Sequence, residues 1–152
     1  MPTNLYGPND NFDLTTSHVI PALVRKYVEA VETHQETVAI WGTGKPKREF
    51  LHVDDCASAS IFLMNNDDGE TLVNIGTGTD ITINELVAVI KDITGFKGRI
   101  VYDTSKPDGT PRKVLDVSKI NALGWQAKVE LEEGIKRTVK EFRHFYKKSH
   151  FS

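Results

Sequence analysis

The sequence predicts an α/β fold with mixed strand directions, and three observations carry that prediction. Short apolar runs bounded by glycine, proline or Asx clusters read as strands, while longer segments repeat their apolar residues every three or four positions and read as helices. The two kinds alternate along the chain, as they do where helices cover a sheet. Several connections are too short for the crossover that parallel neighbours need, so some strands should run antiparallel.

Taken in order, Pro2 and Thr3 read as the tail of a strand, Gly7-Pro8 breaks it, and Asn9-Asp10-Asn11 is turn chemistry. Residues 16 to 34 carry one apolar stripe (Val19, Ile20, Leu23, Val24, Tyr27, Val28, Val31). Thr16 or Ser17 can cap this helix, and Pro21 is tolerable in its first turn. Thr37 to Trp41 reads as a buried strand, Gly42-Thr43-Gly44 as a turn and Glu49 to Val53 as a second strand. A helix capped by Asp54 or Asp55 should then run to about Met64. Thr71 to Ile75 reads as a strand. Thr82 and Glu85 form a capping box for the next helix, which Gly95 ends. Residues 98 to 102 suggest a strand, 104 to 113 a polar loop, 118 to 123 a short helix and 131 to 146 a final amphipathic helix.

Composition bounds the rest. At 152 residues the chain suits one domain with a real core. Nineteen basic residues against 21 acidic ones leave a formal charge of −2, which argues against nucleic acid or an anionic membrane as partner but allows a local basic pocket. Cys56 is the single cysteine, so no disulfide framework or multi-cysteine zinc site is possible, and no metal is expected. There is no bilayer-length apolar run and no signal-peptide pattern, so the expected location is cytoplasmic.

His18 shares a helical stripe with Arg25, which would set an imidazole and a guanidinium on one side. Spacing alone leaves open both an acid–base role and the commoner role of a capping or core-edge histidine. His34, His52, His144 and His150 lack ligand spacing and read as structural or solvated. Three basic spots, Arg25-Lys26, Lys45 with Lys47-Arg48, and Lys106 with Arg112-Lys113, are ordinary surface charge unless two converge on a diphosphate. Arg48 stands out because it opens an apolar strand. Trp41, before a glycine turn, is either a stacking platform or a core residue, whereas Trp125 reads as a packing anchor. Cys56 receives no catalytic role. Both GxG pairs, Gly42-Thr43-Gly44 and Gly76-Thr77-Gly78, lack a dinucleotide loop's context and read as turns.

A set of motifs runs along nearly the whole chain: Pro2-Thr3-Asn4-Leu5-Tyr6-Gly7-Pro8, Ser17 to Leu23, Trp41 to Gly44, Arg48 to Asp55, Asn74 to Gly78 and Ser105 to Lys113. With these the chain resembles the C-terminal half of the GDP-L-fucose synthase family, within the extended short-chain dehydrogenase/reductase superfamily. The Arg48 block specifies only the superfamily; the His18 and Lys106 blocks are more specific.

The resemblance implies the substrate-binding portion of a Rossmann-type enzyme, with a small mixed sheet and helices and without the N-terminal cofactor-binding part. Residues 1 to 15 would be a strand end and active-site loop left from the Rossmann part, and 16 to 152 the nucleotide-sugar-binding part of a single domain. The implied reaction epimerises GDP-4-keto-6-deoxy-D-mannose at C3 and C5 and then reduces C4 with NADPH. His18 would be the general acid. Arg25, Arg48 and Lys113 would meet diphosphate or sugar hydroxyls, and Val19, Leu23 and Trp41 would line the nucleotide pocket. Lys26 stands where an arginine is expected in some relatives.

Asn4, with Pro2 and Thr3 on the nicotinamide side, would sit between cofactor and substrate. The glycine-rich NADP loop and the Ser/Tyr/Lys triad have no counterpart here, since Tyr102 and Lys106 straddle a strand end and a loop. The expected partners are therefore a GDP-sugar and an N-terminal Rossmann half, in a family that is homodimeric at full length, and the chain alone is expected to be inactive. Another nucleotide-sugar epimerase or reductase, or a non-catalytic nucleotide-sugar-binding or interaction module, remains the alternative.

Overall fold

The computed structural model describes residues 1–69 and 71–150, with side chains through residue 148. The element order is β1 (Asn4–Tyr6), α1 (Val19–Glu32), β2 (Thr37–Trp41), β3 (Lys47–Arg48), β4 (Phe50–His52), α2 (Val53–Asn66), β5 (Ile81–Thr82), α3 (Ile83–Thr94), β6 (Arg99–Asp103), β7 (Arg112–Lys113), α4 (Ser118–Ala122) and α5 (Leu131–His150). Strand directions are mixed. β1 pairs with β4 and β2 with β6, both parallel; β3 lies between antiparallel β5 and parallel β7.

The two-residue period of β1 and β4 divides the interior in two. Tyr6 and Phe50 point into a core built with α1, α3 and α5, around Val24, Tyr27, Leu86, Ile90, Ile135 and Phe142. Leu51 points the other way, into a smaller core with Ala59 of α2, Ile120 of α4, Val73, Ile75 and Trp125. Trp125 is the expected anchor, with Nε1 donating to Ser58 Oγ at 3.1 Å. Cys56 is a half-buried free thiol beside that core. His34 and His144 are exposed and His52 is buried. The side chain of His150 lies outside the described residues.

Four local expectations need correction. α1 starts at Val19 rather than at residue 16, because Asp13 Oδ1 accepts from the amides and hydroxyls of both Thr15 and Thr16 and holds them in a turn. α2 is capped by His52, whose Nδ1 accepts from Asp54 N at 3.2 Å, and not by an aspartate. Asp55 is instead buried, and its Oδ2 accepts from Lys128 N at 3.0 Å and Val129 N at 2.8 Å. Residues 71–75 form only an isolated parallel bridge between Ile75 and Pro2, since Met1 O and Thr3 N are the backbone groups that meet Ile75.

The fourth is the supposed loop at 104–113, which ends in strand β7, invisible to apolar patterning because it consists of Arg112 and Lys113. The capping box of Thr82 with Glu85 and the left-handed Gly95 at the end of α3 are as expected.

Candidate functional site

The N-terminal end of α1, the C-terminal end of β2 and the loop after β6 meet around a cleft of about 350 Å³. His18 immediately precedes α1 in an extended conformation, is exposed, and makes no side-chain capping bond. Its imidazole is therefore not spent on the helix. Upstream, in the turn before α1, hydrogen bonds led by the Thr15 hydroxyl and amide hold the pKa of the Asp13 carboxyl down to about 2. Val19 and Leu23 follow on the helix face that turns into the cleft, and Lys26 stands a turn further along.

Trp41 closes the opposite wall. Its neighbours Val38 and Ile40 point into the core, so the strand's alternation turns the indole outward, 58% exposed. Exposure excludes the core role, one of the two that the sequence left open. The Lys26 and Lys106 ammoniums lie 5.3 and 5.7 Å from the ring centroid, within cation–π range. Lys26 Nζ also donates to Ala39 O at 3.0 Å. Burial lowers its pKa, partly countered by Asp103.

Arg48 and Asn4 form the floor. Arg48 is half-buried, donates from Nη1 to Lys47 O at 2.7 Å, and has no carboxylate partner among the described residues. Lys113 does not line the cleft. It stands beside Arg48, in register on the parallel strand β7, and is exposed. Paired residues of neighbouring strands present their side chains on the same face, so the two cations are adjacent.

Arg25 does not join this group. Because His18 lies outside the helix, the helical stripe that linked the two does not extend to it. Arg25 lines a separate hollow of about 510 Å³ with Phe12, Glu141 and Phe145, pairs with Glu29 at 2.8 Å and donates to Phe12 O at 3.0 Å. Pro2 and Thr3 do not reach the cleft either. Pro2 bridges Ile75, and Thr3 is buried with its hydroxyl 3.4 Å from Glu49 O. Of the nicotinamide-side group only Asn4 is presented, its Nδ2 donating to Glu49 O at 2.8 Å. Neither GxG segment opens a helix of dinucleotide type, so these residues do not by themselves make a dinucleotide site.

Sequence reasoning gave no role to Asp108, which lines the cleft. Its carboxylate accepts from Thr43 N at 2.6 Å and Thr43 Oγ1 at 2.7 Å, and these bonds hold its pKa below the ordinary carboxylate value. Gly42 has φ +74°, and a Cβ there would lie 2.2 Å from Asp108 Oδ1, so glycine is needed for the loop to latch. The available signal was an acid between Pro107 and Gly109 in a loop otherwise rich in cations.

The assembled cleft has an apolar wall, an exposed indole flanked by Lys26, the Arg48 guanidinium at its floor and an imidazole at its mouth. Such a set can bind a nucleoside diphosphate by stacking and charge, and can exchange a proton with the group the nucleotide carries. Among the described residues no cluster of metal-ligating side chains occurs, and no helix is long and apolar enough to cross a membrane.

A family model described as the NAD dependent epimerase/dehydratase family matches residues 1–76. The chain is 54% identical over 138 residues to GDP-L-fucose synthase 1 of Arabidopsis thaliana, covering 91% of this chain and 43% of that one. It is 50% identical over 151 residues to the GDP-L-fucose synthase of Escherichia coli K12, covering 93% and 47%. A crystal structure of a GDP-L-fucose synthetase from Naegleria fowleri superposes with a TM-score of 0.89 at 34% identity, covering 96% of this chain and 45% of that one. A second crystal structure from Naegleria fowleri is of a GDP-L-fucose synthetase bound to NADP. The chain thus spans less than half the length of the curated relatives it matches.

Proposed function

Because the chain belongs to the NAD-dependent epimerase/dehydratase family, we propose that it is the GDP-sugar-binding portion of a GDP-L-fucose synthase. The observation that carries this reading is the convergence of His18, Lys26, Trp41 and Arg48 on one cleft. Trp41 stacks the guanine against Val19 and Leu23. Lys26 and Arg48, with Lys113 beside Arg48, neutralise the diphosphate. His18 then faces the hexose, where it returns a proton to the enolate formed beside the C4 ketone during epimerisation at C3 and C5. Arg25 has no part in this, since its guanidinium is engaged elsewhere.

NADPH, once bound, would supply the hydride for reduction of C4. Only Asn4 of this chain is available to its nicotinamide end, and a Rossmann half of the kind the relatives carry must hold the rest. Residues 1 to 15 belong with that half and residues 16 to 152 with the substrate. The family's full-length assembly as a homodimer and a cytoplasmic setting accompany this reading.

Titration calorimetry with GDP-mannose, UDP-glucose and dTDP-glucose tests it. The guanosine compound should bind at least about tenfold more tightly, a difference of roughly 1.4 kcal/mol; preference for a uridine or thymidine sugar removes the assignment. His18→Asn, in a protein completed by an upstream cofactor half, should suppress solvent deuterium incorporation at C3 and C5 by about 10²-fold or more. Unchanged incorporation excludes His18 from proton transfer.

A further inference from the structure

Glu49 is a fully buried carboxylate with no cationic partner among the described residues. A charge in that position is costly unless hydrogen bonds replace its hydration. Here they come from the backbone. Oε1 accepts from Thr77 N and Gly78 N, both at 2.7 Å, and Oε2 accepts from Leu115 N at 2.8 Å. The main chain of the same residue completes the junction. Its N–H donates to Lys113 O at 3.2 Å, and its carbonyl accepts from Asn4 Nδ2 at 2.8 Å. Four separate segments are therefore tied to one residue: the start of β1, the β3–β4 junction, the Gly76–Gly78 turn and the stretch that leaves β7.

Both floor residues, and the cation beside them, adjoin this junction. Arg48 precedes Glu49, Lys113 is its cross-strand neighbour, and Asn4 bonds the Glu49 carbonyl. Charge-assisted bonds to backbone amides are short and directional, so they fix strand positions more tightly than neutral ones. We propose that Glu49 is a positioning residue whose carboxylate holds Arg48 and Lys113 side by side as the diphosphate-binding pair. This rests on the nucleotide-sugar reading of the cleft.

Two variants perturb the carboxylate independently. Glutamine is isosteric, but its NH2 must face either the Leu115 amide or the Thr77 and Gly78 amides, so it releases one side of the junction. Gly76→Ala changes no charge. Gly76 does not need a left-handed φ, but a Cβ there would lie 2.2 Å from Glu49 Oε1 and force the carboxylate aside. Guanosine, which engages α1 and Trp41, should bind both variants as it binds the unaltered chain. GDP should lose about tenfold in affinity with each, and the double variant should be no worse than the single ones, because both break one junction.

Calorimetry with GDP and guanosine reads the ratio. A ratio unchanged in Glu49→Gln, whatever happens to Tm, overturns the proposal, because a merely structural role lowers stability without separating the two ligands. Amide hydrogen exchange on the ligand-free 152-residue chain provides a second readout. Protection at Thr77, Gly78 or Leu115 should fall in Glu49→Gln while that of α1 persists, and full protection at all three overturns the proposal. If the unaltered chain binds GDP no better than guanosine, the nucleotide reading fails and Glu49 positions no diphosphate pair.

Discussion

Asp108 latches the loop after β6 to Thr43, in the turn after β2, at the edge of the cleft. Its bonds to Thr43 depress its pKa, so the ionised form is favoured in the folded chain. A depressed carboxylate contributes stability above its unfolded pKa, near 3.9, and loses that contribution as pH falls through the lower folded value. The latch should therefore hold at neutral pH and open only once the pH has fallen past the ordinary carboxylate value, through the lower folded one. Trp41 emission in a Trp125→Phe background would report this, because Lys106 lies over the indole on the same loop. An acid transition should appear that Asp108→Asn removes. Identical titrations in the two proteins would show that the loop does not depend on this carboxylate. Asp108 was legible as a residue type but not as a cleft residue, because its partner Thr43 is distant in sequence.

At the level of elements, local signals were readable where they are chemically local. The Thr82 and Glu85 capping box, the Gly95 stop and the α1 apolar stripe all emerged as expected, each depending on residues within a turn or two. Thr82→Ala should cost about 1 kcal/mol in denaturant unfolding, the usual worth of such a cap. Asp55 is the contrast. Adjacency to α2 suggested a cap, but burial assigns it to the amides of Lys128 and Val129. Asp55→Ala leaves those donors without their partner and should cost on the order of 1–3 kcal/mol, more than Asp54→Ala, whose side chain is largely exposed. An equal loss for both would return Asp55 to a capping role. Strand β7 illustrates the opposite failure, since two charged residues hold a strand position only because β3 offers its edge.

For the whole molecule, the apolar surface is unevenly covered. Helix α2 turns Ala59 into the smaller core and Ile61 and Met64 outward, at 62% and 85% exposure, while Leu72 nearby in sequence is 94% exposed. Large apolar side chains left in water a turn apart on one helix, as Ile61 and Met64 are, promote association. The chain alone should therefore self-associate as concentration rises, and Ile61→Glu with Met64→Glu should suppress this in sedimentation velocity without changing the far-ultraviolet circular dichroism. Self-association undiminished by both changes would locate the sticky surface elsewhere.

By itself the sequence determined the α/β class, the helix stripes and most turns, because periodicity, caps and glycine positions act within a few residues. Through its motifs it also picked out His18, Lys26, Trp41 and Arg48. Only the tertiary structure decided which cations converge. It brought Arg48 beside Lys113, sent Arg25 to another hollow, added Asp108 to the cleft and made Glu49 a buried junction. Those outcomes depend on contacts between segments far apart in the chain, and no local pattern encodes which distant backbone amide a side chain will meet.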